Sequence, residues 1–268
     1  MTPADESSPA AARRVLGAVV EEAREERVGL VAAGLAYNLL LLAIPLALLA
    51  LLALESTGKI AVAAGWLDRV ADRPISTAQL KNTTGGEGGW VRAVALAGAF
   101  VVWSALRTFR SLSGVFAEVY GESTYETWTG ELLEVVVVLA TSVGALALVG
   151  AAALAFAVTA TDTVWFVAVP VLLFGGFFLV FFPVYYVFPP VDVAAVDVLP
   201  GPLLAAAVLT LSGLGIRLYA EASVSIDLYG VVGATLLFLT WLYVGGLALL
   251  VGVVLNAVLG GHLDSARA

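Results

Sequence analysis

The chain of 268 residues has no cysteine and one histidine, His262, close to its C-terminal end. Disulfides, thiolate chemistry, histidine-ligated haem and zinc sites of the His/Cys type are therefore excluded. No Ser/His/Asp set can be built around His262, and no glycine-rich phosphate loop precedes a Lys-Ser or Lys-Thr pair. A metal site made only of carboxylates has no sequence support. The absences predict a non-enzymatic protein without cofactor or metal, with a membrane-bound hydrolase as a distant alternative.

Basic residues are also scarce, with 13 Lys and Arg against 21 Asp and Glu and a net charge of −8. Only Lys59 and Lys81 are lysines. No polybasic patch exists, which argues against binding to nucleic acid. An acidic surface poor in lysine is compatible with concentrated salt, where the screening length falls to about 3 Å near 1 M. The composition therefore suggests a halophilic source, although a GC-rich genome would favour Arg and Ala as well.

Charges are missing from six long stretches, and the chain is 61% hydrophobic with a mean hydropathy of +1.00. A helix rises ~1.5 Å per residue, so crossing a hydrocarbon core of ~30 Å takes about 20 apolar residues. We therefore predict an all-α fold, a polytopic transmembrane bundle of six spans forming one membrane domain over residues 28–260. The predicted spans cover about 30–54, 90–119, 132–160, 164–188, 200–220 and 230–259.

The segments outside the spans are short. Residues 1–9 are predicted to be disordered, 55–89 form an extramembrane loop and 261–268 a C-terminal tail. Residues 10–27 show one apolar face among many charges, typical of an amphipathic helix on the membrane surface. A solvated helix running straight into the first span is the alternative.

An even number of spans places both termini on one side of the membrane. Four arginines precede the first span, where positive charge has the most influence on orientation. They are Arg13, Arg14, Arg24 and Arg27. We therefore expect a multi-pass protein of the plasma or inner membrane, with cytoplasmic N- and C-termini.

Polar groups at membrane depth are the candidate ligand or cavity residues. An arginine facing a cavity would suit an anionic headgroup or a phosphate, whereas one near a helix end can simply reach the interface. The buried amides could bind a ligand or form interhelical hydrogen bonds. The candidates are Tyr37, Asn38, Arg107, Arg110, Arg217 and Asn256.

Several segments, in this order and spacing, resemble the YihY/BrkB family of six-span membrane proteins. Residues 32–38 (AAGLAYN) with Pro45 are similar to the family's first span, and 103–107 (WSALR) running to 119–121 (VYG) resembles its second. Further similar segments are 186–189 (YVFP), 201–219, and 229–256 with WLY at 241–243 and Asn256 at its end.

This resemblance implies a six-span fold and an inner-membrane location. Some members were once labelled ribonucleases, and links to the cell envelope and to lipid movement have been suggested for others. The chain departs from the family in its charges. Where members commonly have Asn or basic residues it has Glu118, Glu122, Glu126, Asp192 and Asp197, which weighs against an anion-binding role for the inner loops.

Two functions are compatible with these patterns. The first is transport, or help in moving, of a lipid or small solute, with membrane lipids as partners and an anionic headgroup as one candidate ligand. The second is a scaffold whose helices only pack and which recruits a partner through the 55–89 loop or the N-terminal helix. A cavity open to one side with the arginines on its wall favours transport, and a filled bundle with every arginine at the interface favours the scaffold. The glycine-rich faces fit a homo-oligomer as well as packing within one chain.

Overall fold

A computed structural model of the chain is helical throughout the part that it describes. The structure describes residues 9–58, 61, 86–121, 136–137, 140–141, 143–144, 147–148, 163–191, 193–222 and 225–261, and these contain no strand. The long helices are α1 (Pro9–Glu25), α2 (Val28–Ser56), α3 (Gly86–Tyr120), α4 (Thr163–Val187), α5 (Pro200–Ala222) and α6 (Ser225–Leu259). The predicted all-α membrane fold is confirmed.

Four of these helices contain segments long and apolar enough to cross a bilayer: Val28–Ser56, Gly89–Tyr120, Pro170–Val187 and Thr235–Leu259. A fifth apolar segment, Pro200–Ile216 in α5, is shorter. The predicted span at 132–160 falls mostly outside the described residues, as do most of the 55–89 loop and both terminal segments. The count of six spans stays a prediction.

α1 and α2 are separated by a sharp change in backbone direction at Arg27. Arg27 has φ 48° and ψ 39°, a left-handed conformation that costs a non-glycine residue about 1–2 kcal/mol. Its carbonyl accepts the first hydrogen bonds of α2, from the amides of Leu30 and Val31 at 2.8 and 3.3 Å. α1 therefore does not continue straight into the span. The predicted position of α1 on the membrane surface stays a prediction.

α3 passes Arg107 and Arg110 without a break and ends at Tyr120. It runs antiparallel to α2, because Ser104 of α3 meets Asn38 of α2 while Glu118, further along α3, meets Glu26 just before α2.

α6 is the central helix of the bundle. It packs against α1, α2, α3 and α5, and α4 packs against α5. Val253, Val254 and Ala257 of α6 are completely buried in the core. Glycine allows close approach to α2, because a Cβ on Gly246 would lie 3.2 Å from the carbonyl oxygen of Ala32.

Candidate functional site

The segment between α4 and α5 is fixed to α6 by the side chain of Asn256. The Asn256 Nδ2 donates to the carbonyl of Val198 at 2.9 Å, and its Oδ1 accepts from the amide of Gly201 at 2.8 Å. Asn256 is only 4% exposed, so these bonds satisfy two backbone groups that would otherwise be buried without partners. The side chain of this candidate ligand residue is thus used to join α5 to α6.

Tyr185 of α4 completes this junction. Its hydroxyl donates to the carbonyl of Leu249 on α6 at 2.6 Å. Gly201 and Gly252 face each other beside it, and a Cβ on Gly201 would lie 2.8 Å from the carbonyl oxygen of Gly252. We call Tyr185, Gly201, Gly252 and Asn256 the α4–α6 junction. It holds α5 and α6 at backbone contact and joins α4 to them through the Tyr185 side chain.

An aromatic cluster joins α3 to the same junction. Phe116 is completely buried, and its ring centroid lies 5.5 Å from that of Phe188 and 6.2 Å from that of Tyr185. Tyr120 stacks on the other side at 6.4 Å. These residues belong to the main hydrophobic core, which makes this end of the bundle densely packed.

Further along the helices the bundle opens into a cavity of about 160 Å³. Its wall includes some of the α2 side chains between Leu35 and Leu46, together with Thr108 and Leu112 of α3. Aromatic residues of α4, Leu209 of α5 and a long face of α6 also contribute. Leucine, valine and phenylalanine predominate, and the polar atoms on the wall come from Thr108, Thr141 and Trp241. No charged side chain among the described residues lines this cavity.

Two buried polar atoms in this region have no hydrogen-bond partner among the described residues: the Trp241 Nε1 and the Asn38 Oδ1. Other polar groups nearby are satisfied locally. Thr108 donates to the Ser104 carbonyl at 2.9 Å, and Ser104 donates to the Asn38 carbonyl at 3.4 Å. A buried group left unpaired costs about 1–3 kcal/mol, so Trp241, which lines the cavity, is a polar position where a bound molecule would gain by accepting a hydrogen bond.

The residues singled out from the sequence are not brought together at this cavity. Asn38 is buried between α2 and α3, whereas Tyr37 is 51% exposed. Arg107 and Arg110 lie on the exposed side of α3, away from the wall. Asn256 belongs to the α4–α6 junction. α5 carries Arg217, whose side chain lies outside the described part of the chain.

The cavity wall itself was not anticipated. Most of its residues are leucines and phenylalanines, which look the same in the sequence whether they face lipid, a neighbouring helix or a void. Trp241, beside the pair Gly245 and Gly246, was the one usable signal, because a large aromatic residue next to two glycines leaves uneven space along α6.

An acidic corner lies where α1, α2 and α3 meet. Burial raises the pKa of Glu26, and the negative charge of Glu118 and a hydrogen bond between the two carboxyl groups raise the pKa further. Glu22 and Glu25 of α1 add smaller repulsions. Glu26 therefore retains its proton to higher pH in the folded protein than in the unfolded chain.

This corner predicts that stability falls as pH rises. A raised pKa in the folded state favours folding fully below the ordinary glutamate value, about pH 4, and the contribution disappears as pH passes the folded-state pKa. Glu26→Gln should flatten that dependence, because glutamine cannot ionise. Thermal unfolding in detergent between pH 4 and 8 tests this, with Glu21→Gln on the exposed face of α1 as control. An unchanged pH profile in Glu26→Gln would rule the explanation out.

The fold and the site define a helical membrane protein with an apolar cavity between its helices. The chain belongs to the family described as Virulence factor BrkB, whose profile matches residues 19–267. This confirms the resemblance found in the sequence. Searches of curated proteins and of solved structures give no match.

Proposed function

We propose that this protein moves, or helps to move, a lipid or another small amphiphilic solute, and that the cavity between α2 and α6 receives its apolar part. The observation that carries the proposal is the cavity of about 160 Å³ with an almost entirely apolar wall. A space of this size left unfilled forfeits van der Waals contacts along its wall, and a bound apolar group restores them. A bundle that served only as a scaffold would gain nothing from it.

The depth of the cavity indicates which part of a solute it would hold. Its wall on α2 begins at Leu35 and ends at Leu46. These positions lie ~10 and ~27 Å from the start of the helix at a rise of ~1.5 Å per residue, within the level of the hydrocarbon core. An acyl chain or similar apolar group fits there, whereas an ionised headgroup would lack a partner among the described lining residues.

The proposed function also specifies the cellular location of the protein and its partners. The protein acts without catalysis or cofactor, in the plasma membrane, with membrane lipids as its partners and no nucleic acid. The four arginines before α2 support cytoplasmic termini by the positive-inside rule. Assembly into a homo-oligomer is compatible with the exposed small residues of the helices, and the acidic composition supports assays at high salt.

Filling the cavity tests the proposal. Purified protein is reconstituted into liposomes at high salt, and the crossing of a fluorescent phospholipid between leaflets is followed. Ala43→Phe adds a ring at the cavity wall, and we expect it to slow crossing at least tenfold. Ala47→Phe, one turn further along α2 on an exposed position, is the matched control. With this variant the lipid should cross at the native rate.

Native protein that moves the lipid no faster than empty liposomes would exclude lipid crossing as its activity. Equal rates for Ala43→Phe and the native protein would exclude the cavity as the path.

The scaffold is supported by one observation, the outward position of Arg107 and Arg110. If crossing is absent, capture of a partner by the intact protein and its loss on deletion of residues 62–85 would support that alternative.

A further inference from the structure

Two arginines stand on the outer face of α3, where the described part of the chain offers them no carboxylate partner. Arg107 and Arg110 are both exposed, and neither forms a salt bridge with another described residue. The Arg107 Cζ lies 5.7 Å from the ring centroid of Trp103, which is one turn earlier in the helix. Trp103 is 47% exposed. Phe100 packs on the other side of Trp103 with a centroid distance of 5.1 Å. One face of α3 therefore carries a row of side chains that changes from aromatic, at Phe100 and Trp103, to cationic, at Arg107 and Arg110.

The contacts between α2 and α3 give the depth of this row. Ser104 is level with Asn38, ten positions or ~15 Å into α2. Because the helices are antiparallel, Arg107 lies ~10 Å and Arg110 ~6 Å from the start of α2.

α2 has 29 residues and a length of ~44 Å, against a hydrocarbon core of ~30 Å, so roughly its first 7 Å lie in the headgroup layer. Arg110 is thus at the headgroup boundary, and Arg107 is close enough to extend its guanidinium to it.

We propose that Arg107, Arg110 and Trp103 form a surface site for the phosphate of an anionic phospholipid. Guanidinium groups bind phosphate oxygens through paired N–H donors, and residues three apart on a helix project from the same side, one turn from each other. Trp103 supplies a flat apolar surface for the upper acyl chain and holds the Arg107 guanidinium over its ring.

Charge complementarity selects the ligand. The protein is acidic overall, with 21 Asp and Glu against 13 Lys and Arg, and the exposed arginine pair is a localised cationic surface on it that attracts an anionic headgroup.

The site is separate from the cavity. Thr108 and Leu112 of the same helix line the cavity, while the two arginines lie on exposed positions and do not contribute to its wall. The proposal therefore does not depend on transport. A lipid held here would occupy the outer surface of α3.

Lipid binding to the full-length protein in neutral detergent tests the site, with bound lipids counted by native mass spectrometry. We expect the native protein to retain phosphatidylglycerol and to bind diacylglycerol, which lacks the phosphate, at least tenfold more weakly. The double variant Arg107→Gln/Arg110→Gln should lose at least tenfold in phosphatidylglycerol affinity. Arg107→Lys/Arg110→Lys should fall in between, because lysine keeps the charge without the paired donors.

Arg92→Gln is the matched control, since Arg92 is an exposed arginine near the other end of α3. It should bind phosphatidylglycerol as the native protein does. Circular dichroism and thermal unfolding confirm that each variant is folded.

Equal binding by the native protein and the double glutamine variant would overturn the site, as would an equal loss in Arg92→Gln. Inorganic phosphate in large excess over the lipid should leave bound lipid in place, because it lacks the acyl chain that Trp103 would contact. Full displacement by it would identify a free-anion site and overturn the lipid assignment.

Discussion

Replacing Gly252 by alanine is expected to lower the free energy of unfolding by about 1–3 kcal/mol, after allowing for about 1 kcal/mol of helix propensity that alanine gains. A Cβ at this position would lie 2.8 Å from the carbonyl oxygen of Gly201 and 3.1 Å from its Cα, and would also meet the Tyr185 hydroxyl. Backbone atoms cannot turn aside as a flexible side chain can, so α5 and α6 must separate, at about 1–3 kcal/mol for overpacking. Displacing Tyr185 would in addition weaken its bond to Leu249, a loss of about 1 kcal/mol.

Unfolding by sodium dodecyl sulfate from mild detergent micelles measures the change. Gly34→Ala is the control, because no atom lies within 4 Å of a Cβ at Gly34 on the exposed side of α2. That substitution should be neutral or stabilising by up to about 1 kcal/mol, the difference in helix propensity. Equal stability of Gly252→Ala and the native protein would show that α5 and α6 do not meet at backbone contact.

Phe116→Ala should cost about 3–4 kcal/mol. The Phe116 ring is completely buried, so its removal leaves a void and loses the contacts that the ring makes. A residual void of roughly 80–100 Å³ costs about 2 kcal/mol at ~24 cal/mol per Å³. The lost contacts with Tyr120, Tyr185 and Phe188 add about 0.5 kcal/mol or more each.

The same unfolding titration measures this effect, with Phe100→Ala as the matched control. Phe100 lies on α3 as well, but it is 48% exposed and its removal leaves no enclosed void. We expect the control to lose no more than about 1 kcal/mol, from its single ring contact with Trp103. A comparable loss in both variants would mean that the aromatic cluster contributes no more than a ring on the outer surface.

Much of the fold follows from the charge-free stretches. The predicted spans at 30–54 and 230–259 lie within α2 and α6, because hydrophobic length alone identifies a helix that crosses a bilayer. The break between α1 and α2 at Arg27 could not be predicted from hydrophobic length. A left-handed arginine has no residue signature, and it is maintained by the packing of α1 on α6 rather than by local preference.

The candidate site was much less accessible from the sequence. Asn38 and Asn256 were recognised as polar groups at depth, but their roles depend on partners: Asn256 binds backbone groups far away in the chain, while the Oδ1 of Asn38 has none among the described residues. The cavity depends on the spacing between helices, which is set in part by the close contacts at Gly246 and at the α4–α6 junction. That spacing is a property of the assembled bundle.

The central position of α6 has a consequence for biosynthesis. Ribosomes make α6 after every other described helix, yet α1, α2, α3 and α5 all pack against it. Until α6 has been inserted, Ala32 of α2, which is fully buried in the finished bundle, lacks the Gly246 surface that covers it. The earlier helices can therefore pair only in part, α2 with α3 and α4 with α5, and closure of the bundle around α6 is a late step.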